Sequence, residues 1–150
     1  MKSFFDFLLP PVVDNTIPGA GFPVYLFILI AIVSTVRSCI HLLAPDGGAG
    51  SIAGMDLSVP GAPGIVFSFA LWGSAQLVYA IVQLVVAFRY RSLVPFMYLL
   101  LFFEALLRML VGHMRPATFS HTPPGAYANY VIPPLSVLMI VVSFLTRRPA

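Results

Sequence analysis

Charge is scarce in this sequence: 9% of its 150 residues are Asp, Glu, Lys or Arg, whereas 59% are hydrophobic. Soluble domains carry about 25% charged residues, so a chain this apolar could not cover a water-facing surface. The scarcity excludes a soluble globular protein and predicts a polytopic membrane protein, in which residues 1–150 form a single membrane domain. The net charge of +3 comes from arginines at segment ends, which indicates membrane orientation rather than nucleic-acid binding.

Cysteine and catalytic motifs are also nearly missing. Cys39 is the single cysteine, so an internal disulfide and a CxxC metal or redox motif are both excluded. The serines have no GxSxG context, and no HExxH pair occurs. The sequence therefore disfavours an enzyme but does not exclude one.

Long hydrophobic runs are what the sequence does contain. A bilayer core about 30 Å thick needs about 20 apolar helical residues, and in lipid such runs satisfy their backbone hydrogen bonds as helices. Four runs have this length and end at proline or glycine: 23–43, 64–88, 93–112 and 127–146. They predict an all-α integral membrane protein with a bundle of four transmembrane helices. Residues 3–9 are expected to form an interfacial segment, with a loose tail as the alternative.

The distribution of basic residues predicts the orientation of the bundle. The Gly/Ala-rich loop between the first two spans carries two aspartates and no basic residue. Positively charged loops face the cytoplasm, so this loop is expected on the outer side of the membrane and both termini on the cytoplasmic side. Arg115, in the third loop, is the one basic residue that does not fit this orientation. The remaining basic ends agree with this orientation: Lys2, Arg89, Arg91, Arg147 and Arg148.

Ionisable and polar side chains recur at helical spacing in three of the spans. Glu104 and Arg108 are four residues apart, as are Arg37 and His41, so each pair shares one helix face. An ionisable group facing lipid at a helix centre costs about 2.5–3.5 kcal/mol, which favours polar faces turned toward one another. The expected ligand-binding or buried polar cluster lies in the outer half of the bundle: Arg37, His41, Trp72, Gln76, Glu104, Arg108, His113, Asn129 and Tyr130.

This cluster has more than one interpretation. Glu104 and Arg108 can form a structural ion pair, with Arg37 sharing the carboxylate. Alternatively, Arg37 and Arg108 clamp an anion, because a guanidinium group donates two parallel hydrogen bonds to carboxylate or phosphate. A protomer interface could use the same residues. The sequence does not identify a cofactor. Single histidines could ligate haem or a pigment. The weak candidates for metal ligands are His41, Asp46, His113 and His121.

These features favour a small polytopic protein acting as a non-enzymatic subunit or binding protein, with a lipid, a quinone or a partner subunit at the cluster. The alternatives are a membrane-embedded redox enzyme subunit, with Glu104 or His113 as proton carrier, and an oligomeric channel or transporter. Expected partners are membrane lipids and either further copies of the chain or a larger complex. The expected location is a cell membrane, the inner membrane of a bacterium. In size and layout alone the chain is similar to small four-helix bacterial membrane proteins, including the DoxX-like proteins, some of which are accessory subunits of redox complexes.

Overall fold

Four long helices dominate the computed structural model, which describes residues 4–147. A short helix, α1 (Phe4–Leu8), precedes them, a 3-10 turn (Arg91–Leu93) joins the second long helix to the third, and no strand occurs among the described residues. Each long helix is long and apolar enough to cross a membrane, so the prediction of an all-α bundle with four membrane-spanning helices is confirmed. These helices are α2 (Phe22–Leu43), α3 (Ala62–Arg89), α4 (Val94–Met114) and α5 (Pro124–Leu145).

The helix ends differ from the predicted spans by a few residues, mostly because proline opens each helix. All four long helices carry proline in the first turn. Proline is tolerated there because the first amides of a helix have no intrahelical acceptor. Pro124 therefore belongs to α5 and is not part of the preceding turn. On the other side of the connecting loop, α4 continues through Gly112 to Met114.

The bundle is built from two antiparallel hairpins, α2 with α3 and α4 with α5. Fewer contacts connect the hairpins, and one of them is well defined at the end near the start of α2. There the Tyr98 hydroxyl of α4 donates to the carbonyl of Pro23 at 2.7 Å, and the Tyr98 ring packs edge-on against Phe27. Both aromatic side chains are fully buried, so this contact belongs to the hydrophobic core.

Gly73 marks the closest approach of α2 and α3. A Cβ atom at this position would lie 2.7 Å from the Cβ of His41 and 2.8 Å from the backbone nitrogen of Leu42. Small residues let membrane helices pack backbone against backbone. The close packing of the first hairpin therefore depends on the missing side chain of Gly73.

Both ends of the described chain and the α3–α4 link lie at one end of the bundle. Ser92 in that link donates from Oγ to the carbonyl of Asp14 at 2.9 Å and accepts from its amide at 3.0 Å. The amide of Ala20 donates to Oγ1 of Thr146 at 2.7 Å. The arrangement required for both termini to face the cytoplasm is therefore present. The orientation itself stays a prediction, and Lys2 and Arg148 lie outside the described residues.

The short helix α1 packs against the end of α5. Phe7 lies edge-on to Phe144 with ring centroids 5.3 Å apart, and the guanidinium carbon of Arg147 lies 3.9 Å from the Phe144 ring centroid. Phe7 and Leu8 are buried. Phe4–Leu8 is thus a docked helix rather than a loose tail, while its position at the lipid headgroups stays a prediction and residue 3 lies outside the described range.

Candidate functional site

A chain of hydrogen bonds joins polar side chains from all four long helices. Arg37 of α2 donates from Nη2 to Oε1 of Gln76 on α3 at 2.6 Å, and Nε2 of Gln76 donates to Oε1 of Glu104 on α4 at 3.3 Å. Arg108 forms an ion pair with Glu104 through Nη1 and donates from Nε to Oδ1 of Asn129 on α5 at 2.8 Å. We call these five residues the polar network.

The polar network extends from the middle of the bundle toward the end that carries the first and third loops. At a rise of about 1.5 Å per residue, Glu104 lies about 15 Å from the end of α4 at Met114, and Arg108 about 9 Å. Arg37 lies about 9 Å from the end of α2 at Leu43. Because α4 runs past the predicted end of its span, Glu104 sits at the middle of the helix rather than within its outer half.

Arg108 is the partner of Glu104, and Arg37 is not. The spacing of four residues places Glu104 and Arg108 on one face of α4, where the two side chains meet. Arg37 reaches the carboxylate only through Gln76, while its guanidinium carbon lies 5.4 Å from the Trp72 ring centroid. The expectation that Arg37 shares the carboxylate directly is wrong. Gln76 separates the two because it offers an acceptor to Arg37 and a donor to Glu104.

His41 is a packing residue of the first hairpin. Its ring is buried, lies 5.1 Å from the Trp72 ring and 5.7 Å from the Phe69 ring, and places Nδ1 2.7 Å from the carbonyl of Gly47. A carbonyl can only accept, so Nδ1 carries the proton. His41 is thus buried two residues before the end of α2, and its role in a site stays a prediction. No motif in the first loop indicates that it folds back over this ring.

The opposite hairpin holds a cleft of about 440 Å³, which we call the α4–α5 cleft. Four of its lining residues were expected in the site from the sequence: Arg108, His113, Asn129 and Tyr130. Arg108 and Asn129 are joined by their hydrogen bond and half-buried, whereas Tyr130 and His113 are exposed. The cleft therefore combines a fixed guanidinium group with a neutral amide and two rings.

The structure thus divides the predicted cluster into two parts. Trp72 and His41 pack within the first hairpin beside Arg37, away from the residues that line the cleft. Three further lining residues were missed: Met109, Gly112 and Ala126. Helical spacing from Arg108 and Asn129 could have pointed to Gly112 and Ala126. Neither residue carries a polar group, however, so the sequence did not mark them as part of a binding site.

The weak metal candidates do not form a metal site. Within residues 4–147, no group of three or more His, Cys, Asp or Glu side chains is placed to hold a metal ion. His121 instead places Nε2 3.1 Å from the carbonyl of Ile52, which docks the third loop on the first.

Asp46 organises the first loop through its carboxylate. The backbone amides of Ser51 and Gly48 donate to it at 2.7 Å and 2.8 Å, and these hydrogen bonds lower the pKa of Asp46 to about 2. Gly48 has a φ of +72°, and a Cβ there would lie 3.1 Å from Nδ1 of His41. The loop therefore turns where only glycine fits, directly over the His41 ring.

A pH titration tests this account of the first loop. Because the folded pKa of Asp46 is depressed, its hydrogen bonds stabilise the loop above the unfolded pKa of about 3.9 and are lost as pH falls through about 2. We expect the amide NMR shifts of Gly48 and Ser51 to titrate with a midpoint near 2. The variant Asp46→Asn is the control and should show no such step. A midpoint near the unfolded value would contradict the hydrogen-bonded loop.

No protein-family model, no curated protein and no solved structure matches the chain, so its function has to be argued from the site itself.

Proposed function

We propose that the protein is a non-enzymatic membrane binding protein and that its α4–α5 cleft holds the anionic head of an amphipathic molecule. The observation that supports this most directly is the place of Arg108. Its guanidinium group lines the cleft, and Nη2 has no hydrogen-bond partner among residues 4–147. A carboxylate or phosphate oxygen is the natural acceptor for a guanidinium N–H held in this way.

The charge balance of the polar network supports an anionic ligand. Arg37 and Arg108 are the basic residues within the network, and Glu104 is its one acid, so the network carries a positive surplus. Glu104 is already occupied by Arg108 and Gln76. An anion in the cleft would offset this positive charge. The hydrocarbon region of the membrane supplies no other counter-ion at this depth.

Preorganisation also supports binding at this place. The ion pair with Glu104 and the hydrogen bond to Asn129 hold two of the three guanidinium nitrogens of Arg108. An already oriented side chain loses little rotamer entropy when a ligand binds. The same proposal places the cleft in the outer leaflet of a bacterial inner membrane, in a homo-oligomer or an accessory subunit. The arginine-rich ends support that orientation, and the four long apolar helices support a membrane location.

A lipid titration followed by native mass spectrometry tests the proposed function. The protein in a neutral detergent is titrated with phosphatidylglycerol and with phosphatidylcholine of the same acyl chains. We expect about tenfold tighter binding of phosphatidylglycerol, because both lipids offer a phosphate to Arg108 but the ammonium group of phosphatidylcholine is repelled by the positive network, and a tenfold preference corresponds to about 1.4 kcal/mol. The double variant Glu104→Gln/Arg108→Leu removes the guanidinium without stranding the carboxylate, and it should abolish the preference.

The variant Arg37→Leu is the matched control. It removes one cation of the polar network, at the same distance from its helix end as Arg108, but leaves the lining of the cleft unchanged. We expect it to keep most of the preference for phosphatidylglycerol. Equal binding of the two lipids by the wild type, or equal losses in the double variant and Arg37→Leu, would overturn the proposal.

A further inference from the structure

An apolar groove of about 410 Å³ runs along α4 and α5 on the surface of the second hairpin. Val137, Leu138 and Val141 are between 44% and 53% exposed, so the groove is open along its length. Its lining contains no polar side chain: Phe102, Pro133, Pro134, Val137, Leu138 and Val141. A surface of this kind suits a hydrocarbon chain.

The apolar groove continues the α4–α5 cleft along the same two helix faces. On α4, Phe102 lies two turns before Met109, on the same side of the helix. On α5, Tyr130 of the cleft is followed one turn later by Pro134 and two turns later by Val137. The cationic cleft and the apolar groove therefore form one surface, with its charged part toward the third loop.

Two prolines lie at the junction of the groove and the cleft. Pro133 and Pro134 are inside α5, and proline has no amide hydrogen to donate to the carbonyl four residues earlier. Those carbonyls belong to Asn129 and Tyr130, which line the cleft. The junction thus provides backbone acceptors beside a guanidinium donor, which suits a headgroup carrying both a phosphate and hydroxyl groups.

We infer that the ligand is an anionic glycerophospholipid whose phosphate lies at Arg108 and one of whose acyl chains lies along the groove, an inference that rests on the proposed function. The length is consistent with this occupant. Pro133 to Val141 spans about 12 Å along α5, close to the about 15 Å of one hydrocarbon leaflet. The charge of the cleft selects an anionic lipid, and a free phosphate would leave the groove unused.

Filling the groove tests the acyl chain separately from the headgroup. The variant Val137→Phe places a ring in the groove, and Val131→Phe makes the same change on α5 at an exposed position outside both lining sets. Binding of phosphatidylglycerol is measured for each by native mass spectrometry in one neutral detergent. We expect Val137→Phe to weaken binding by about fivefold or more and Val131→Phe to leave it unchanged.

A photoreactive lipid locates the chain directly in the wild-type protein. Phosphatidylglycerol with a diazirine in its acyl chain is crosslinked, and the labelled peptides are identified by mass spectrometry. We expect labelling concentrated on 133–141 and reduced by excess unlabelled phosphatidylglycerol but not by glycerol phosphate. Uniform labelling of all four long helices would overturn the inference.

The outcomes separate this inference from the proposed function. If Val137→Phe binds like the wild type while Glu104→Gln/Arg108→Leu loses binding, the cleft holds a headgroup without the groove, and only the inference fails. If glycerol phosphate displaces the lipid, the site recognises a free phosphate and the inference again fails. If Glu104→Gln/Arg108→Leu binds like the wild type, the proposed function fails and the inference with it.

Discussion

Replacing Arg108 by leucine should lower the free energy of unfolding by about 3–5 kcal/mol, the cost of removing one partner of a buried ion pair. The side chains of Arg108 and Glu104 are 23% and 29% exposed, so water offers neither of them full compensation. Without Arg108, the Glu104 carboxylate keeps only the 3.3 Å hydrogen bond from Gln76, and Asn129 loses its donor. Reversible unfolding by SDS in mixed micelles measures the loss.

A second substitution identifies the stranded charge as the cause. In Glu104→Gln/Arg108→Leu both charges of the ion pair are removed together, and the stability should return to within about 1 kcal/mol of the wild type, since neutral replacement of buried pairs is often tolerated. The control Arg37→Leu removes a cation that has no carboxylate in direct contact, so its loss should be smaller than that of Arg108→Leu. Equal losses in Arg108→Leu and the double variant would show that the carboxylate is not the source of the instability.

Replacing Gly73 by alanine should destabilise the first hairpin by about 1–3 kcal/mol, the usual range for an overpacked core. The new Cβ would meet the Cβ of His41 at 2.7 Å and the backbone nitrogen of Leu42 at 2.8 Å. Backbone atoms of α2 cannot rotate away as a flexible side chain could. The two helices must therefore separate, which would also disturb the contact between Arg37 and Gln76.

Gly64→Ala is the matched control for this prediction. Gly64 lies in the same helix, and a Cβ there has no atom within 4 Å. The control should leave stability unchanged or raise it slightly, because alanine has the higher helix propensity. SDS unfolding of the two variants side by side gives the comparison. An equal response of Gly64→Ala and Gly73→Ala would contradict the close approach of α2 and α3.

The helices could be predicted from the sequence because a long apolar run in a bilayer has to satisfy its backbone hydrogen bonds internally, and an α-helix does so. The exact ends of the helices could not be predicted, since a proline is common both in a turn and in the first turn of a helix. Pro124 and the continuation of α4 to Met114 are the examples. Because α4 ends at Met114 and not at Gly112, Glu104 lies two residues farther from the helix end than the predicted span implies.

The candidate site could be predicted only in part, because residue spacing describes one helix at a time. The shared face of Glu104 and Arg108 follows from their spacing, and the structure confirms that they pair. Pairing between helices does not follow from spacing: whether Arg37 meets Glu104 or Gln76 depends on which helices form a hairpin. The partner of His41 could not be predicted, because it is the backbone carbonyl of Gly47 and every residue of the sequence carries such a carbonyl.

Native mass spectrometry of the protein released gently from its own membrane, with an absorption spectrum of the same sample, tests the central claim most directly. The cationic cleft and the adjoining groove predict a retained anionic phospholipid that is missing from Glu104→Gln/Arg108→Leu prepared in the same way. A wild-type protein that carries no lipid, or that carries a quinone or pigment instead, would contradict the account.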